Sequence, residues 1–161
     1  RINFSLSNWS FTPETRKVIV FTQKPFLDLL SPIMNTFCKS ERLCNKNLFE
    51  ELVHSDFSFV KFPFRVLVKK SSLQGEYPAR MGISVSKKKF KRAVKRNRLK
   101  RLTREAYRMH KSELYKDSQG YETLDILFIY IDNTVLEYSK IEKAIQSAIQ
   151  KIIIHFYRVP E

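Results

Sequence analysis

The stretch from Gly82 to Arg108 constrains the fold of this chain more than any other. Gly82-Ile83-Ser84-Val85-Ser86 has the short, β-branched character of a strand, and it runs through Lys87-Lys88-Lys89 into a densely basic helical segment. On a helical wheel of about 100° per residue, Arg96, Lys100, Arg104 and Arg108 lie four apart and form one stripe, with Arg101 at its edge. Leu99, Leu102, Ala106 and Met109 recur at spacings of three and four and form a separate apolar stripe. The helix must therefore bury one side against a sheet while its other side stays cationic. That requirement calls for an α/β arrangement.

Like charges one turn apart repel by a few tenths of a kcal/mol per pair, roughly, and Glu105 is the only acid among these cations. An external polyanion relieves the repulsion. Arginine favours forked, two-point contacts with phosphate oxygens, and Asn97, set between Arg96 and Arg98, can donate to a sugar, a phosphate or a base edge. The competing reading is an ordinary solvated basic face, but the charge is too dense and its neighbours too apolar for a casual surface.

These residues carry a family resemblance. Gly82, Ser84, Val85, Ser86, Lys87 and Lys88, followed by Ala93, Val94, Arg96, Asn97, Arg98, Lys100, Arg101, Arg104 and Glu105, reproduce a Gly-x-Ser-Val-Ser-Lys-Lys strand and an Ala-Val-x-Arg-Asn-Arg-x-Lys-Arg-x-x-Arg-Glu helix. The segment resembles the bacterial ribonuclease P protein subunit, and a joint match of this length is far more specific than a lone basic motif. Weaker similarity, in the order of elements, extends from about Ser40 to the C-terminus. The loop Lys89-Phe90-Lys91-Arg92 departs from the pattern: it is one residue longer than the glycine-containing loop common in the family.

Composition agrees independently. A chain of 161 residues suits one domain with a modest core. Hydrophobic residues at 43% and 13 phenylalanines argue for a folded protein, and a formal charge of +14 points to a nucleic-acid partner. An anionic membrane surface competes, but no apolar run approaches the roughly 18 residues needed to span a bilayer. Cys38 and Cys44 have no histidines near them in a zinc-finger arrangement, so free thiols in a reducing cytosol are expected, with a disulfide left open by spacing alone. No secretory signal is visible at the N-terminus, and a cytoplasmic location is expected.

Two domains of unequal character are expected. Residues 1–38 form an N-terminal extension of unknown role, with Pro13, Pro25 and Pro32 among scattered aromatics and a strand-like run at Lys17-Val18-Ile19-Val20-Phe21. Residues 39–161 form the RNA-binding domain. Asn45 or Asn47 can cap a short helix through Phe49, Leu52 and Val53. Phe57 and Phe59, then Phe62, Phe64, Val66 and Val68, alternate with polar residues as strands do, and a turn over Ser71 to Pro78, containing Gly75, is expected to pair the second strand antiparallel with Arg80 to Ser86. After a break at Ser118-Gln119-Gly120, Leu124 to Ile131 is apolar on both faces, as an interior strand should be. Ser139 and Glu142 have capping-box spacing ahead of a last helix lined by Ile141, Ile145, Ala148, Ile149, Ile152 and Phe156. The expected fold is an α/β sandwich of one sheet and helices, in the order helix-strand-strand-strand-helix-strand-helix. The resemblance implies a ribosomal-protein-like topology, with the basic helix making the rare left-handed crossover between parallel strands.

Two surfaces follow. The first is cationic: Lys87, Lys88, Arg92, Arg96, Asn97, Arg98, Lys100, Arg101, Arg104 and Arg108 are expected to contact RNA. The resemblance implies that this RNA is the catalytic subunit of ribonuclease P, bound one to one. It also implies a second surface, a cleft between the first helix, the central sheet and the start of the basic helix that holds the single-stranded 5′ leader of precursor tRNA. Phe49, Phe64 and Val66 are its matching positions, with Arg96 and Asn97 at the rim, while ordinary core packing is the alternative for Phe64 and Val66.

No protein catalytic site is evident. His54, His110 and His155 lie far apart without metal-ligand spacing, Asp125 and Asp132 read as capping or turn residues, and no serine or cysteine carries a nucleophile motif. The resemblance implies that catalysis with Mg²⁺ comes from the RNA, the protein serving as an accessory subunit of an endoribonuclease. Two other classes stay open: a ribosomal or assembly-type RNA-binding module, and a self-sufficient metal-dependent nuclease.

Overall fold

A computed structural model describes residues 36–55, 57–71, 77–118 and 123–158, all within the unit Asn35–Glu161. The strand-like run at 17–21 and nearly all of the N-terminal extension lie outside the described residues. So do most of the turn expected over 71–78 and the glycine of the break at 118–120.

Helix α1, Lys46–Val53, begins where Asn45 accepts a hydrogen bond from the Asn47 amide at 3.0 Å. Leu48 and Leu52 turn inward and Val53 outward. Strands β1, Phe57–Lys61, and β2, Phe64–Lys70, form a hairpin closed by Phe62-Pro63, with Lys61 opposite Phe64. Phe62, read from its alternation as an inward strand position, stands in this turn and is 63% exposed.

Strand β3, Ala79–Val85, does not pair with β2 as the sequence pattern led us to expect. The sheet order is β1-β2-β4-β3, so β4, Leu124–Tyr130, lies between them, antiparallel to β2 and parallel to β3. The reason lies in the burial of β4, which carries apolar residues on both faces and hides six of its seven side chains. Such a strand is stable only in the interior, flanked on both edges. The outer edge of β3 is partly covered by the chain before α1: Met81 N–H donates to Glu41 O at 2.8 Å, and Leu43 N–H to Met81 O at 3.0 Å.

Helices α2, Ala93–Asp117, and α3, Tyr138–Phe156, pack on one face of the sheet, onto Phe64, Val66, Ile83, Ile126 and Phe128. Ile141, Ile145, Ile149 and Ile152 of α3 are completely buried, each adding about 1.5–3 kcal/mol of transfer free energy. The capping box expected at Ser139 does not form. The helix starts two residues earlier, with Glu137 at the cap position, and Glu142 instead meets the Tyr138 hydroxyl at 3.5 Å and His110 Nε2 at 3.3 Å.

Among the described residues the other face carries α1 and the segment just before it. Leu43, Leu48 and Leu52 cover Leu67 and Leu127 there, with Phe49 and Ile129 at the margin. Gly82 lets α1 come close, because a Cβ at that position would stand 3.0 Å from Phe49 Cζ and 3.2 Å from Leu43 Cβ.

Candidate nucleic-acid interface

The cationic surface starts in the loop after β3. Lys87, Lys88 and Lys89 are exposed on a turn held by the Phe90 amide donating to Ser86 O at 3.1 Å and the Lys88 amide donating to Ser86 Oγ at 3.2 Å. Phe90 anchors this loop. Its ring is buried with its centroid 5.9 Å from that of Tyr130. Lys89 Nζ donates to Ile131 O on the neighbouring turn, where the Asp132 carboxylate accepts from the Thr134 hydroxyl and the Asn133 and Thr134 amides. Those bonds, the hydroxyl's first, hold the Asp132 carboxyl below its ordinary range, the turn role expected of it.

No side chain caps the start of α2, and no acid stands in its first turn. The partial positive charge of a helix N-terminus thus adds to Lys95 and Arg96 instead of opposing them. A groove of about 570 Å³ opens beside it, lined among others by Lys88, Lys91, Arg92, Lys95 and Arg98. An anion suits such a place.

Further along α2, the burial pattern corrects the helical wheel. Leu99, Thr103, Ala106, Tyr107, Lys111 and Leu114 face inward, whereas Met109, expected in the apolar stripe, is 49% exposed, and Leu102 is half-buried. Thr103 packs as an apolar residue because its hydroxyl donates to Leu99 O at 2.9 Å within the helix. The exposed crest therefore runs through Asn97, Arg98 and Arg101, and the stripe of Arg96, Lys100, Arg104 and Arg108 becomes its half-buried flank.

Two members of that flank already have partners. Arg96 donates to Phe90 O and Lys91 O, both at 2.7 Å, clamping the loop to the helix. Arg108 is held by Glu105 through contacts of 2.6 and 3.0 Å, and this pairing pushes the Glu105 carboxyl below its ordinary range. Part of the repulsion along the helix is therefore relieved internally, contrary to the sequence reading. Arg92, Arg98, Lys100, Arg101 and Arg104 show no acidic partner among the described residues.

A profile of the family described as Ribonuclease P matches residues 37–153. The chain belongs to the ribonuclease P protein family. A relative from Porphyromonas gingivalis, a ribonuclease P protein component, is 35% identical over 127 residues, covering 77% of this chain and 91% of the relative. Another from Syntrophus aciditrophicus is 39% identical over 100 residues, covering 62% and 75%. The solved Staphylococcus aureus RNase P protein superposes with a TM-score of 0.55 at 27% identity, covering 71% of this chain and 95% of that one. The Thermotoga maritima RNase P protein, at 22% identity with a TM-score of 0.52 over 74% and 100% of the two chains, shares the fold.

The second surface expected from the ribonuclease P resemblance needs correction. Phe64 and Val66 are wholly buried beneath α2 and α3, and Phe64 is edge-on to Phe128 and Tyr130. They are core residues on the face away from α1. Side chains alternate along a strand, so Arg65, Leu67 and Lys69 are the β2 residues that face α1. Phe49 does lie there, half-buried against Gly82.

Three polar pairings had no sequence signal. Arg80 meets Asp125 through two contacts of 2.8 and 2.9 Å, so Asp125 is an ion-pair partner inside β4 and neither a cap nor a turn residue. Lys69 pairs with Glu51 of α1 at 3.3 Å. Lys111, Tyr115 and Glu41 form a buried cluster in which the Tyr115 hydroxyl donates to Glu41 at 2.7 Å, and burial pushes that hydroxyl well above its ordinary range. Their partners lie far off in sequence, which no local pattern reveals. Cys38 and Cys44 are both free thiols. Among the described residues, no three His, Cys, Asp or Glu side chains converge on a metal-sized site, and no helix is long and apolar enough to cross a membrane.

Proposed function

We propose that this chain is the cytoplasmic protein subunit of a ribonuclease P, binding a catalytic RNA and the 5′ leader of precursor tRNA together in a one-to-one ribonucleoprotein. The observation that carries the reading is the set of exposed cations Lys87, Lys88, Arg92, Arg98 and Arg101, without an acidic partner among the described residues, on a member of this family. These groups neutralise phosphates where two polyanions meet, and the RNA supplies bond cleavage. Among the described residues no three His, Cys, Asp or Glu side chains converge, and this surface is positive. The reading assigns Mg²⁺ to the RNA.

The leader reading rests on the α1 side of the sheet, where half-buried Phe49 offers a ring on which an unpaired base can stack. Phe49→Ala is expected to weaken leader-bearing substrate by roughly 1–3 kcal/mol, the range for one base–aromatic stack, while mature tRNA binds as before. Equal losses for both would remove the cleft from α1.

Reconstitution tests the whole. Adding the protein to a bacterial ribonuclease P RNA, precursor tRNA and Mg²⁺ should lower the Mg²⁺ needed and tighten substrate binding. Unchanged cleavage would favour an assembly-type RNA-binding module, and cleavage by the protein alone would favour a nuclease.

A further inference from the structure

The α1 side of the sheet presents side chains in rows that run across the strands. One row joins Arg80, Asp125 and Lys69, and the next joins Gly82, Leu127, Leu67 and Ser58. A third joins Ser84, Ile129, Arg65 and Val60. The first row is electrically closed, with Arg80 on Asp125 and Lys69 on Glu51. The second is apolar and covered by α1, its Leu67 and Leu127 buried. The third is open: Val60 is 61% exposed, Arg65 is exposed, and Ser84 and Ile129 are half-buried.

Arg65 thus differs from the other two cations of this face. It has no acid within ion-pair reach among the described residues, and its cross-strand neighbours, Val60 and Ile129, are aliphatic. Aliphatic neighbours on both sides let the stem lie on apolar surface while the guanidinium projects to solvent. The row sits at the end of the sheet where β3 passes through Ser86 into the Lys87–Lys89 loop, so it continues the cationic surface. From β3 to β1 it spans three strand spacings, about 14 Å.

We propose that Arg65 grips a backbone phosphate of the single-stranded RNA that crosses this third row, with its planar fork making the two-point contact. The inference rests on the leader reading given above and adds to it a strand-borne positioning residue. Val60 and Ile129 supply apolar contact beside the gripped phosphate.

The test uses the full chain assembled with a bacterial ribonuclease P RNA. Binding of precursor tRNA with a long leader, and of mature tRNA, is measured across a range of KCl concentrations for the parent protein, Arg65→Gln and Arg65→Lys. Arg65→Gln should weaken the leader-bearing substrate by about 10-fold, leave mature tRNA unchanged, and flatten the log-log salt dependence by about 0.7. Arg65→Lys should keep the slope and recover part of the affinity. An unchanged slope, a loss that follows leader sequence without a change of slope, or an equal loss for mature tRNA would each overturn the role given to Arg65. If the parent protein itself fails to distinguish leader-bearing from mature tRNA, the leader reading falls first and the role given to Arg65 falls with it.

Discussion

The two ends of α2 use the same kind of residue in opposite ways. Near its C-terminal end, Lys111 is 2% exposed and its ammonium lies against Glu41, itself fully buried, with Tyr115 donating to the same carboxylate. Two turns and more before it, Arg98 and Arg101 stand exposed with no acid beside them. The first arrangement ties the chain ahead of α1 to the helix, since Lys111 also donates to Thr36 O and Glu41 accepts from the Cys38 amide at 2.7 Å. The second contributes nothing to the fold that the structure shows. A lysine or arginine on this helix is structural where an acid or a backbone carbonyl from elsewhere in the chain meets it, as at Lys111 and Arg96, and is left for an external anion where neither does.

The largest expected effect tests the closed end. Lys111→Ala strands a carboxylate in the interior and should lower unfolding free energy by about 3–5 kcal/mol in urea titrations. Combining Lys111→Met with Glu41→Gln should recover most of that loss, because a buried ion pair contributes little beyond an uncharged replacement. A Lys111→Ala protein of parental stability would erase the distinction between the two ends.

Next comes the open end. Arg101→Ala should change stability by no more than about 0.5 kcal/mol and flatten the salt dependence of RNA binding by roughly 0.7–0.9 in log-log slope. Arg96→Ala should move both quantities, because its guanidinium clamps Phe90 O and Lys91 O as well as carrying charge. If Arg101→Ala left the slope untouched, the crest would lie outside the RNA contact.

The smallest effect belongs to Glu105, the one acid between Lys87 and Arg108 in the sequence. Glu105→Gln removes the carboxylate charge beside Arg108 and should steepen the salt dependence slightly. Because the Arg108 pairing lowers the folded carboxyl from its ordinary value of 4.5, the stabilisation it gives is complete above that value. It is lost as pH falls through the lower folded value, and the substitution should abolish this acid-side dependence. An unaltered pH profile would show that the pair is idle in solution.

Strand β4 and helix α3 were legible in the sequence because their patterns are local: a seven-residue run with six apolar residues spread over both faces, and isoleucines at helical spacing. The basic helix was legible for the same reason, although taking Leu102 and Met109 as inward by residue type hid the parts played by Thr103 and Tyr107. Alternation along β2 correctly grouped Phe64 with Val66. It carries no information about which face of the sheet two long helices will cover, so it could not decide for those two residues between the cleft that the family resemblance implies and the core packing that the structure shows.

What the chain's own order of residues determined is the type of each element, the density of positive charge between Lys87 and Arg108, and the family that these motifs mark. Tertiary structure alone decided the insertion of β4 between β2 and β3, the closing of Lys111, Arg80 and Lys69 by acids, and the opening of Arg65 to solvent. Periodicity is a property of neighbours within a few residues, whereas the acids that close Lys111, Arg80 and Lys69 lie well outside that window and are brought near only when strand register and helix packing are set.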